Sequence, residues 1–167
     1  MDLIAYISIV LFLVALAVNS LAVYFQKKNL IYDKYFSDGH KAHCTILGIV
    51  WTPFLFSVVW LGFSGPSLSK YPLIGWPIFL VATVLFCLSY RQIGIDGVTN
   101  KDIFTNERKE LGGVYRYVPG PMYLSYTLLF FGWGVISGVT GFYLLSIVSV
   151  LGLQIIEAKI ESLPNNK

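Results

Sequence analysis

Glu157 and Glu161 stand four residues apart near the C-terminus, so on a helix they share one face. They follow an apolar run, and a carboxylate at a membrane boundary is costly unless it is paired, hydrated or set against a cation. The pair also fits a plain solvated helix end beside Lys159. A second candidate wall is Gly112–Tyr126, GGVYRYVPGPMYLSY, in which Pro119 and Pro121 flank Gly120 and the string turns apolar at Met122 and Tyr123. Proline is tolerated in the first turn of a helix, where its missing N–H would be unpaired anyway. The string therefore predicts a helix starting at Pro121, whose positive end attracts an anion. Tyr115, Tyr117, Tyr123 and Tyr126 then fall at interface depth. Together the two stretches offer groups for an ammonium and for a carboxylate or phosphate.

The elements that must position these residues are apolar helices. Of the 167 residues, 56% are hydrophobic and 13% charged, against about 25% charged in a soluble domain. Mean hydropathy is +0.68. Residues 3–25 carry no charge and exceed the roughly 20 residues that cross a hydrocarbon core. Asp2 and the length of this run argue against a signal peptide. Asn19 within it is expected to turn toward protein. Further spans are predicted over 44–63, with Pro53 expected to kink it, and over 71–90, 121–138 and 142–156. The fold class is thus all-α, a single polytopic transmembrane domain over 1–167 with about five helices. The longest polar segment, 91–118, is expected to be a loop; it carries Arg91, Asp96, Lys101, Asp102, Glu107, Arg108 and Arg116.

Five spans place the 62–70 and 139–141 connections on the side of the N-terminus. Of the 12 Lys and Arg residues only Lys70 lies there, so the positive-inside rule gives N-terminus out and C-terminus in. The end of the third helix, the 91–118 loop, the Pro119–Tyr123 entrance and Glu157 then converge on the cytosolic face, with Met122 and Glu157 expected at similar depth.

Other chemistries find little support. His40 and His43 have a metal-like spacing but lack companions, so a solvated or headgroup-facing pair and no metal is the expectation. Cys44 and Cys87 form no framework. A net charge of +3, dispersed, does not suggest nucleic acid. There is no Gly-x-Ser-x-Gly and no soluble-type phosphate loop.

The segment Leu88–Glu157 resembles the membrane phospholipid methyltransferases, chiefly the phosphatidylethanolamine N-methyltransferases and more distantly the isoprenylcysteine carboxyl methyltransferases. Gly94-Ile-Asp-Gly97, Asp102, Phe104, Pro121-Met122-Tyr123, Gly132-Trp133, Thr140-Gly141 and Glu157 carry it, in order and with short gaps. The resemblance implies an integral membrane enzyme using S-adenosylmethionine to methylate a phospholipid amine at the cytosolic face. It implies Asp102 as proton acceptor, and Gly94, Gly97, Pro121, Met122, Tyr123, Glu157 and Glu161 at the cofactor. Arg116 would hold a lipid phosphate; a headgroup-snorkelling arginine is the other reading.

The sequence departs from that pattern in three places. Ala158 follows Glu157 where relatives carry a second carboxylate. Leu80 and Ala82 stand at positions compared with a cofactor-associated Gly-any-Gly, and Pro119-Gly120 precede Pro121 where the carboxyl methyltransferases have Arg-His. Two alternatives therefore stay open. One is methylation of another lipophilic acceptor, such as a prenylcysteine carboxylate. The other is a non-catalytic accessory subunit whose partners are other membrane-protein subunits rather than a lipid substrate. Endoplasmic reticulum, mitochondrial and bacterial inner membranes are not distinguished.

Overall fold

A chain this apolar buries its backbone polar groups by forming helices, since lipid offers no hydrogen bonds. The computed structural model describes residues 3–28, 38–64, 71–99, 101, 112–157 and 159, almost all of them helical. Helix α1 spans Leu3–Lys27 and reaches its first basic residue, Lys27, in its last turn. Helix α2 spans Gly39–Ser64 and continues through Pro53. At its start Asp38 Oδ1 accepts the Lys41 backbone N–H at 3.1 Å, satisfying a first-turn donor. Helix α3 is Pro72–Val98 and α4 is Pro121–Ser137. Helix α5, Thr140–Ser149, continues as a wider π-helical stretch, Val150–Glu157. Helices α1, α2 and α3 are long and apolar enough to cross a membrane; Thr140–Ile156 is apolar but shorter.

Two of these limits correct the reading of the sequence. The segment from 91 is not loop throughout, because Arg91–Val98 continue α3. Polar side chains mark where a helix leaves the bilayer, not where its hydrogen bonding stops. Likewise α2 begins at Gly39, ahead of Cys44, because the Asp38 cap sets its start.

Small residues set how closely the helices approach. On α3 the buried residues Gly75, Ala82 and Ser89 recur at heptad spacing and form one stripe. Across from it, a Cβ on Gly132 of α4 would lie 2.9 Å from Phe79 N, and one on Gly75 would lie 2.7 Å from Ile136 Cγ1. Phe79 meets Trp133 at 5.5 Å between ring centroids, and Phe86 meets Tyr126 at 5.6 Å. Residue numbers rise along α3 as they fall along α4, so the pair is antiparallel. Close backbone approach through glycine is how helices associate where lipid removes the hydrophobic drive.

Helix α5 joins this pair to α1 and α2. A Cβ on Gly141 would meet Ala5 at 2.7 Å, and one on Gly152 would overlap the Leu16 side chain, so α1 and α5 run parallel. Phe12, Phe54, Leu61, Phe142 and Leu145 are almost wholly buried where α1, α2 and α5 meet. Phe12 touches Phe54 at 5.1 Å and Phe130 of α4 at 6.2 Å. Outward faces such as Phe56, Trp60, Phe63 and Leu73 are exposed, as lipid-facing positions would be.

Candidate functional site

The α3–α4 register decides what stands beside the α4 entrance. The pairs Gly75–Ile136, Phe79–Gly132 and Phe86–Tyr126 carry the polar end of α3, from Ser89 onward, alongside Pro121–Tyr123. There the α3 backbone breaks: Gly94 has φ 64° and ψ −169°, a region that essentially only glycine occupies. A Cβ at Gly94 would meet nothing within 4 Å. Conformation, not crowding, therefore requires glycine here, and the space beside it is open. At Gly97 a Cβ would instead lie 2.5 Å from Ile93 Cβ, across the break.

Beyond the break, Thr99 Oγ1 donates to Ile95 O at 2.9 Å, and Lys101 Nζ pairs with Asp96 Oδ2 at 3.2 Å. His40 Nε2 lies 3.0 Å from Thr99 Oγ1, tying the start of α2 to the end of α3. His43, expected to be solvated or headgroup-facing with His40, is instead fully buried. Phe12 beside Phe54, with Ala5 and Leu61 both against Gly141, makes α1 and α2 antiparallel, which brings the His43 end of α2 to the last turns of α1.

Gln92 clasps the next piece of chain. The amide orientation that satisfies both ends places its nitrogen 2.7 Å from Gly112 O, as donor, and its oxygen 3.0 Å from Val114 N, as acceptor. Gly113 has φ 54°, and a Cβ there would fall on the Gln92 amide. The short 3-10 turn Gly113–Arg116 is therefore pinned to α3, with Arg116 exposed at its end. Nothing in the local sequence singles out Gln92.

The α4 entrance follows. Gly120, at φ 57° and ψ 50°, turns the chain, and Leu124 N donates to Gly120 O at 3.0 Å. Pro121 and Met122 are buried, Tyr123 is half-buried, and no side chain caps the helix. Ser125, one turn in, is fully buried and donates to Met122 O at 2.6 Å. Deeper, Thr127 Oγ1 lies 3.0 Å from Ser149 Oγ, Ser146 Oγ donates to Thr127 O at 3.0 Å, and Gln154 Nε2 reaches Thr127 Oγ1 at 3.4 Å. This buried network fixes α5 and its π-helical continuation against α4, leading the chain back toward the α4 entrance and ending at Glu157.

Gly94, Gly97, Arg116, Pro121, Met122, Tyr123 and the end of the π-helical stretch thus belong to one end of the bundle. Asp102, Phe104 and Glu161 lie outside the described residues. Gly132 and Gly141 prove to be packing positions, against Phe79 and against Ala5 and Leu61. Of the two positions compared with a glycine pair, Ala82 is fully buried and Leu80 faces outward.

An all-helical bundle with three helices able to cross a membrane, outward apolar faces and a polar end defines an integral membrane protein. The sequence profile of the phospholipid methyltransferase family matches residues 71–163, more than half of the chain and all of α3, α4 and α5. The chain belongs to the phospholipid methyltransferase family. Comparison with curated proteins gives no match, nor does comparison with solved structures.

Proposed function

We propose that this protein transfers a methyl group from S-adenosylmethionine to the amine of a phospholipid of the phosphatidylethanolamine type at the cytosolic face of its membrane. The observation that carries this reading is the family match over 71–163, which takes in the α3 break, the Gln92-pinned turn, the α4 entrance and the π-helical stretch.

The residues present fit a zwitterionic cofactor. The positive end of α4 carries no side-chain cap, which suits a carboxylate. Gly94 leaves the space beside a helix break open, so a ligand could approach the backbone there. Glu157 would hold the cofactor's ammonium. When bound, the cofactor supplies an electrophilic methyl on sulfur. The chain's own contribution is positioning and exclusion of water, for which effective molarities can be very large. Pro121 and Met122 are buried at the entrance and keep water from that side of it. Asp102 would take the proton that the lipid ammonium must lose, and Arg116 would hold the lipid phosphate through a charge-assisted pair.

Calorimetric titration of the full chain in detergent tests this. S-adenosylmethionine is expected to bind, and Glu157→Gln to weaken it roughly tenfold or more, since a hydrogen bond to a charged group is worth about 1.5–3 kcal/mol. Absence of binding at millimolar cofactor would sink the enzymatic reading. A second reading, an accessory subunit that keeps the fold without catalysis, draws on Ala158 beside Glu157 and on buried Ala82 at a glycine position. Tight co-purification with a membrane complex, without cofactor binding, would favour it.

A further inference from the structure

Helix α1 lies wholly outside the family match, yet it places a polar side chain in the middle of the bundle. Asn19 is 7% exposed, and its Oδ1 is shielded from solvent with no hydrogen-bond partner among the described residues. Ser20 Oγ shares that state. A helical serine has an easy remedy, however: its hydroxyl can rotate onto a carbonyl one turn back, as Ser8 does onto Ile4 O at 2.8 Å. An amide oxygen has none. It accepts only, and it needs a donor from elsewhere.

Where that donor must come from follows from register. Asn19 is one heptad beyond Phe12, so the two side chains leave α1 in nearly the same direction. Phe12 points into the seam between α2 and α4, meeting Trp51 at 5.9 Å, Phe54 at 5.1 Å and Phe130 at 6.2 Å. Helix α4 runs antiparallel to α1, because α5 is parallel to α1 through Gly141 and Gly152 and antiparallel to α4 through Thr127–Ser149. One heptad back from Phe130 is Tyr123. The steps Phe12 to Asn19 and Phe130 to Tyr123 run the same way, which directs Asn19 toward that seam at about the level of Tyr123, beneath the α4 entrance. Tyr123, Tyr126 and Phe130 pack half-buried along it, and aromatic faces favour a cation over a neutral donor.

We propose that Asn19 Oδ1 accepts a hydrogen bond from the ammonium group of a ligand held beneath the α4 entrance. The identity of that ligand rests on the proposed function, which offers two ammonium sources, the cofactor and the lipid headgroup. Asn19 then adds a neutral acceptor to a site in which Ala158, not a second carboxylate, directly follows Glu157.

The test titrates the full chain in detergent with S-adenosylmethionine, with a short-chain phosphatidylethanolamine, and with the matching phosphatidylcholine, which lacks an N–H donor. Asn19→Leu is expected to lower affinity about tenfold for whichever ligand carries the bound ammonium and to leave phosphatidylcholine unaffected. Asn19→Asp is expected to retain or tighten that binding. Asn19→Ala removes the acceptor without added bulk and is expected to show the same tenfold loss if leucine prevents folding. Unchanged affinity for both ammonium ligands, with or without a gain in thermal stability, would overturn the proposal and point to buried water at Asn19. If S-adenosylmethionine binds indifferently to Asn19 and so does the lipid, this inference falls and the proposed function stands. If only the lipid binds, in an Asn19-dependent way, the enzymatic reading falls and this inference stands. If the native protein binds neither, both fall.

Discussion

Gly132 stands so close to Phe79 that a Cβ on it would lie 2.9 Å from the Phe79 backbone nitrogen and 3.1 Å from its Cα. The obstacle is backbone, which cannot rotate away, so α3 and α4 would have to separate. Gly132→Ala is expected to destabilise the protein by about 1–3 kcal/mol, the usual cost of overpacking, and Gly132→Leu by more. Gly48, where a Cβ meets nothing within 4 Å, provides the control: Gly48→Ala should be neutral or stabilising by up to about 1 kcal/mol. Thermal unfolding of the purified variants in one detergent compares them. Equal midpoints for Gly132→Ala and the native chain would remove the close-approach account of this interface.

Gly94 is a different kind of glycine. Its surroundings are empty, but φ 64° with ψ −169° is a conformation that a Cβ resists. Gly94→Ala is therefore expected to cost about 1–3 kcal/mol through backbone strain, or to be relieved by straightening α3 through the break. Straightening would move Asp96–Thr99 relative to the α4 entrance and lower cofactor affinity, whereas a retained break would show as lost stability alone. A substitution that preserves both stability and affinity would mean that the break has no bearing on the site.

Gln92 ties the Gly113–Arg116 turn to α3 with a donor and an acceptor in one amide. Gln92→Leu removes both and should speed hydrogen exchange across 112–118, since each net hydrogen bond is worth about 1 kcal/mol. Gln92→Glu keeps the bond from Val114 N but places a carboxylate oxygen against Gly112 O, so it should be intermediate or worse at neutral pH and recover on acidification. Identical exchange in the leucine variant would show that the turn is held by something else.

The distance between sequence and structure can be read at these same residues. Pro121 announces its helix because proline has a positional meaning, and the charge-free run of α1 announces a span because lipid length is fixed. Gln92 announces nothing: a glutamine following an arginine after an apolar run reads as the start of a loop, and only the distant glycine turn gives it a partner. The end of α3 is hidden in the sequence for the same reason. His43 reads as a headgroup residue, yet α1–α2 pairing buries it. Gly132 and Gly141 carry the family resemblance, but whether a glycine serves chemistry or packing depends on what faces it, here Phe79 and Ala5.

Acid should act on the start of α2. Asp38 has its carboxyl held below the ordinary aspartate value, first by the Lys41 backbone N–H and then by the Lys41 ammonium at 3.1 Å. A depressed folded-state value means that the contribution is fully present above the unfolded pKa, near 3.8, and is lost as pH falls through the lower folded value. Protection of the Lys41 amide against exchange should accordingly decline on acidification below that range in the native chain. Asp38→Ser, which caps without titrating, should show no such decline. Parallel pH profiles in the two proteins would exclude Asp38 as the titrating group.

The Thr127–Ser149 contact joins residues far apart in sequence, 3.0 Å apart and buried. Thr127 is the shared member: its hydroxyl accepts from Gln154, and because Ser149 donates to Ser146 O, the single Thr127 proton goes to Ser149 Oγ, with Tyr123 O at 3.2 Å as the alternative acceptor. Thr127→Val keeps the shape but leaves Gln154 and Ser149 without this partner. Ser149 can fall back on Ser146 O, to which it already donates at 2.8 Å, whereas Thr127 is what receives the Gln154 amide. The loss should be about 0.6 kcal/mol, the average measured for hydrogen bonds between membrane helices, and at most about 1.7 kcal/mol. Ser149→Ala should cost less, and the double variant should cost less than the two losses added, because both remove the same contact. Since the network seats the π-helical stretch that ends at Glu157, Thr127→Val should also weaken S-adenosylmethionine binding more than its loss of stability alone would. Strict additivity of the two substitutions would show that Thr127 and Ser149 are not coupled.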